Sequence, residues 1–177
     1  MKILFTSVGR RVELMQAFKN AASRMQVDLE LYGADISDSA PALACCDHTV
    51  IVPGIGDERY IPELLHICSE ESVDALIPTI DTDLMILAKN RDDFGKTRVL
   101  ISSPDKIRLC REKRLTAEYF DSIELKSPRP VDDWTKYASV YPAFIKPKDG
   151  SSSINAYRAE NEDELKFFAS RISDYIV

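Results

Sequence analysis

Over its first hundred residues the chain alternates short apolar runs with segments of helical period, and that alternation leaves few folds open. "KILFTSV" is apolar without a helical spacing, so it reads as a buried strand. From Arg11 onward, Val12, Met15, Phe18, Ala22 and Met25 mark one face of a helix. "DLELYGAD" gives a second strand, Pro41 to Cys46 a short helix, and "HTVIVPG" a third strand that breaks at Pro53-Gly54. A helix through "YIPELLHICSEES" leads into the strand "VDALIPT". "TDLMILAKNRDDFG" then reads as a helix stopped by Gly95, and "TRVLIS" as a fifth strand. Strands joined by helices through short connectors predict an α/β fold, an open, doubly wound parallel sheet covered on both faces. Ligands of such a sheet sit at the carboxyl ends of its strands.

The texture changes near Ser103, which is placed to cap a helix with Pro104 in its first turn. A second helical segment, "EKRLTAEYFDSI", is followed by the turn-rich "KSPRPVDD". Next come a strand "YPAFIKP", a loop "KDGSSS", a strand "INAYRAE" and a helix opening at Asn161. Asn161 and Glu164 form a capping-box-like pair, with Leu165, Phe168, Ala169 and Ile172 facing inward. "DYIV" begins one more strand. The expected organisation is a sheet domain over 1–103 and part of a smaller α+β unit over 104–177.

Charge and cysteine usage narrow the function class. A net charge of −6 argues against a general nucleic-acid or membrane-surface binder, which needs a basic patch. No apolar run approaches the roughly 20 residues of a membrane helix, and "MKILFTSVGRR" enters structure too soon for a signal peptide. Cys45, Cys46, Cys68 and Cys110 show no CxxC spacing, and adjacent cysteines make a poor disulfide framework. A reduced, cytoplasmic protein is the expectation. Cys45, Cys46 and His48 read as packing residues rather than metal ligands, and His66 as a helix-face residue.

Three stretches invite a phosphate-binding reading, and two fail on chemistry. "FGKTR" has Asn90 where the GxxxxGK[ST] loop needs its first glycine, and it joins a helix to a strand, the reverse of that motif. "TSVGRR" offers only Gly9 where a dinucleotide fingerprint needs three glycines, although Asp35 ends the second strand where a ribose acceptor would stand. "FIKPKDGSSSINAY" is different. A strand delivers Lys146, and Gly150, Ser151, Ser152 and Ser153 then offer a pliable turn with backbone N–H groups and hydroxyls. Lys148 adds charge to the same stretch. An ordinary Gly-Ser hairpin with surface lysines is the competing reading.

"YPAFIKPKDGSSSINAY" is similar to the nucleotide-binding hairpin of the ATP-grasp superfamily. "REKRLTAEYF" resembles the segment that opens that family's ATP-binding region, with Glu112 in place of the usual Asp. "FTSVGRRVELMQAFK" and "LIPTIDTDLMILA" are similar to the carbamoyl-phosphate-synthetase-large-chain-like branch, whose ATP-binding module follows a Rossmann-like domain. The resemblance implies that Lys113 and Lys146 approach nucleotide phosphates and that the serine loop folds over them. It implies ATP, Mg²⁺ and a small carboxylic acid as ligands, with a homodimer as the assembly to test. It further implies an N-terminal part of a ligase, inactive alone, with metal ligands contributed from sequence downstream.

Two further pairs stand where the sheet should bind ligands. Arg10 and Arg11 open the first helix, where the dipole disfavours cations; they are either solvated or grip an anionic substrate. Asp81 and Asp83 follow the fourth strand and either cap the next helix or hold a substrate amine. The rival functions are a non-catalytic ligand-binding module and a dinucleotide-binding oxidoreductase.

Overall fold

The computed structural model describes residues 1–138 and 140–177, which form two compact units, 1–104 and 105–177. In the first unit five strands run parallel: β1 (Lys2–Thr6), β2 (Glu30–Asp35), β3 (His48–Ile51), β4 (Ala75–Pro78) and β5 (Arg98–Val99). Their order is β3-β2-β1-β4-β5. The chain therefore moves outward from β1 through β3 and returns to the other side of β1. The point of reversal lies between β1 and β4, where Thr6 pairs with Pro78.

Alternation along β1 explains why both faces are covered. Ile3 and Phe5 point to one side, where Met15 and Phe18 of α1 (Val12–Met25) meet them; the Phe5 and Phe18 rings stand edge-on with centroids 4.9 Å apart. Leu4 points to the other side, into a cluster with Leu64 of α2 (Tyr60–Glu70) and Leu87 of α3 (Leu84–Lys89). Each fully buried leucine here contributes about 1.5–3 kcal/mol by burial. Met25 departs from the expected helix face and is 72% exposed, because α1 ends there and Gln26 turns left-handed. The expected helix through "NRDDFG" tightens into a 3₁₀ turn at Arg91–Phe94, where the Asn90 amide donates back to Ile86 O and Gly95 takes φ +60.

The second unit holds α4 (Pro104–Arg111), α5 (Lys113–Ser122), β6 (Ala143–Pro147), β7 (Tyr157–Ala159), α6 (Glu162–Ala169) and β8 (Tyr175–Ile176). β6 is central in an antiparallel sheet of order β7-β6-β8. Ile145, Ala159, Leu165 and Ile172 form its core. α6 starts as its cap predicts: the Asn161 side chain accepts from Glu164 N, while the Glu164 carboxylate accepts from Glu160 N. The expected strand at "INAYRAE" begins only at Tyr157. Ser152, Ser153 and Asn155 take φ of 54, 58 and 56, which no strand can contain.

Candidate functional site

At the reversal point of the first sheet, the loop after β1 carries Arg10 and Arg11, and the loop after β4 carries Asp81 and Asp83. The first loop is held from within. Asp35 accepts the Gly9 N–H at 2.8 Å on one oxygen and the Ser37 N–H at 3.2 Å on the other, so both oxygens already help to hold the loops. Thr79 donates its hydroxyl to Ser7 O at 2.6 Å, tying the two loops together. Arg10 and Arg11 remain exposed ahead of α1, with Arg11 donating to Thr79 O at 3.4 Å.

Asp83 corrects both of its expected roles. It sits at the position before α3 but makes no side-chain capping bond, and it is 0% exposed. Its Oδ2 accepts hydroxyls from Thr6 at 2.8 Å, Ser7 at 3.2 Å and Tyr60 at 3.2 Å. Oδ1 is buried without a partner among the described residues. Burial raises the Asp83 pKa against the lowering effect of these donors; burial and the nearby Asp83 charge likewise raise that of Tyr60. The group cannot meet a substrate amine from this position, whereas Asp81 is exposed.

The second unit contains a cleft of about 580 Å³, a size suited to a small-molecule ligand. One wall is a helical stripe of α5: Lys113, Thr116, Ala117 and Phe120 recur at helical spacing. Another is β6, where Ala143 and Ile145 face the core and Phe144 and Lys146 point the other way. Ile176, opposite Lys146 in register, and the turn from Ser127 to Pro130 complete it. Phe144 is 60% exposed, an uncovered aromatic ring beside a cation.

The two lysines differ sharply. The Lys113 ammonium donates to three backbone carbonyls, of Pro147 at 3.0 Å, Lys148 at 3.2 Å and Gly150 at 2.9 Å. Burial, and next the neighbouring Lys146 charge, lower its pKa. Lys146 is half-buried and has no hydrogen bond or ion pair among the described residues. Lys148, which the sequence offered as added charge for the loop, pairs with Asp174, which also lies 3.9 Å from Arg114. Glu112 caps α5 by accepting from Arg114 N at 3.1 Å, so its substitution for Asp keeps the helix start.

The loop also uses its glycine differently from expectation. Gly150 has no positive φ; a Cβ there would stand 3.0 Å from Pro147 Cβ, a tight contact that glycine avoids. Left-handed backbone falls instead on Ser152, Ser153 and Asn155. Ser151 is half-buried at the loop's start. Sequence reasoning thus singled out Lys113, Lys146 and the serine loop, which share this unit, but missed Phe144, Phe120, Ala117 and Arg129. The period of α5 and the alternation of β6 were the signals that could have found the first three. Among the described residues no aspartate or glutamate lines the cleft, so no side chain there suits Mg²⁺, while its two lysines and apolar walls suit an anionic ligand with an apolar part.

No curated protein sequence matches the chain. Solved structures do. L-amino acid ligase from Bacillus licheniformis matches with 15% identity and a TM-score of 0.71, over 99% of this chain and 43% of that one. N5-carboxyaminoimidazole ribonucleotide synthetase from Thermotoga maritima matches with 20% identity and a TM-score of 0.65, over 99% and 45%. The biotin carboxylase domain of Hydrogenobacter thermophilus 2-oxoglutarate carboxylase, a dimer solved with MgADP, ADP and bicarbonate, matches with 15% identity and a TM-score of 0.69, over 99% and 43%. This chain spans less than half the length of these enzymes and shares the fold of that part, as the ATP-grasp resemblance implied. A family model described as PylC-like, N-terminal domain matches residues 3–101, more than half of the sequence. The chain belongs to the PylC-like N-terminal domain family.

Proposed function

We propose that this chain is the N-terminal, nucleotide-binding part of an ATP-dependent carboxylate ligase. The observation that carries the reading is Lys146: a half-buried cation at a strand end, without a partner among the described residues, facing a cleft whose other walls are largely apolar. Ala117, Phe120, Phe144 and Ile176 would hold the base, and Lys146 and the serine loop the phosphates. ATP would supply the phosphoryl group that turns a small acid into an acyl phosphate for attack by an amine or another nucleophile. The chain's own contribution is placement and charge neutralisation. Arg10 and Arg11 would orient the acid, since arginine grips carboxylates bidentately, and Asp81 stands exposed at the same sheet edge.

Among the described residues no aspartate or glutamate lines the cleft, so turnover would depend on metal ligands from outside it. Because the cleft is open to solvent on one side, binding by this chain should be no tighter than about millimolar. The test is ³¹P NMR of ADP titrated with the chain. Both phosphate resonances should move with that weak affinity; resonances unmoved well above millimolar protein would overturn the proposal.

A further inference from the structure

The chain leaves β1 through Ser7, whose φ of 54 is left-handed although a Cβ disfavours that region. In "SVGRRV" Ser7 stands where the first glycine of a G-x-G-x-x-G turn would stand, a place that glycine fills without strain. Serine brings what glycine lacks, a hydroxyl, and it donates to Oδ2 of the buried Asp83 at 3.2 Å. The Ser7 carbonyl is held too, accepting the Thr79 hydroxyl at 2.6 Å. Side chain and main chain of one strained residue are thus gripped by two residues that follow β4. Thr79 also couples the grip to the arginines, because its own carbonyl accepts from Arg11 Nη2 at 3.4 Å. Beyond Ser7 the turn closes on itself and on β2: Arg11 N donates to Val8 O at 2.9 Å, and Val8 N to Ala34 O at 3.2 Å. Arg10 and Arg11 stand exposed at its end.

We propose that Ser7 is a positioning residue: clamped between Asp83 and Thr79, it fixes the left-handed turn that sets Arg10 and Arg11 at the head of α1 to receive a small carboxylate. The carboxylate rests on the ligase reading; the clamp itself does not. The three hydroxyls on Asp83 therefore serve different ends. Those of Thr6 and Tyr60 make their bonds inside the core. That of Ser7 makes a part-buried one and shapes the loop.

Amide hydrogen exchange and acetate binding on the 177-residue chain test this. Ser7→Gly accepts the left-handed backbone but has no hydroxyl, so the chain should still fold. The Gly9 and Arg11 amides report on the loop, since their acceptors are Asp35 Oδ2 and Val8 O. Their exchange should quicken by about fivefold in Ser7→Gly, while amides in β4 and β6 keep their protection. Tyr60→Phe removes another donor from the same carboxylate oxygen; it should lower the denaturation midpoint and leave the loop amides unchanged. Unchanged exchange in Ser7→Gly would overturn the clamp, since the backbone conformation alone would then suffice. Equal quickening in Tyr60→Phe would overturn it as well, since any lost donor would do the same. Sodium acetate is the second probe, with sodium chloride at equal ionic strength as the reference. Acetate should shift the Arg10 and Arg11 Nε–H resonances, and Ser7→Gly should weaken that response by about fivefold. An unweakened response would overturn the positioning role. If acetate shifts neither arginine in the unaltered chain while Ser7→Gly still quickens the loop, the carboxylate assigned to the pair fails and the clamp stands.

Discussion

At the carboxyl end of the first sheet, Asp83 is surrounded by Thr6, Ser7 and Tyr60, whose hydroxyls all converge on one of its oxygens. In the cleft beside β6, Lys146 faces open space without a partner among the described residues. Both are charged residues just past or at a strand end, and both looked like site residues in the sequence. The difference is how much of their hydrogen-bonding capacity the protein has already used. A buried group whose partners are internal holds loops together, and its loss costs stability. A half-exposed group that has spent nothing costs little to remove and is free to bind. Lys113 shows that the distinction can run between two lysines in one cleft.

Removal of Asp83 should have the largest effect. Asp83→Ala should destabilise the chain by about 3 kcal/mol, because three hydroxyls lose their acceptor, two of them deep in the core, and a cavity opens. Chemical denaturation measures this; a loss within about 0.5 kcal/mol would place Asp83 among surface residues after all. A pH series sharpens the point. Burial raises the Asp83 pKa, so the folded chain holds this proton more tightly than the unfolded one. Its contribution is therefore fully present below the ordinary carboxylate value of 3.8 and is lost as pH rises through the raised value. Asp83→Asn should remove that downward slope of the denaturation midpoint; an identical slope in the variant would assign it to another group. The smallest effect belongs to the loop. Ser153→Gly should stabilise by up to about 1 kcal/mol, since glycine accepts the left-handed backbone without a Cβ clash. A loss of more than that amount would show that the Ser153 side chain holds the loop.

The sequence made the sheet legible because parallel strands buried on both faces leave continuous apolar runs, as in "KILFTSV" and "DALIP". The helix start at Asn161 was legible because a cap is local, whereas Glu112 caps α5 without having been read as a cap. What stayed hidden depends on distant partners. An aspartate ahead of a helix has the same pattern whether it caps or turns inward, and Asp83 turns inward because Thr6, Ser7 and Tyr60 wait there from other elements. Spacing could not show that Lys113 donates to the protein while Lys146 does not, since that follows from which backbone carbonyls the loop turns toward α5. The strand expected from Ile154 failed because the left-handed residues are serines and an asparagine, with no glycine to announce them.

The role proposed for Lys146 is to hold a ligand and not the fold. Lys146→Ala tests it in the protein extended to the length of its structural neighbours, with ATP affinity by calorimetry and the denaturation midpoint taken on the same sample. A charge-assisted hydrogen bond contributes roughly 1.5–3 kcal/mol, so affinity should fall by roughly 10- to 150-fold with the midpoint unchanged. Unchanged affinity in a folded variant would contradict the account.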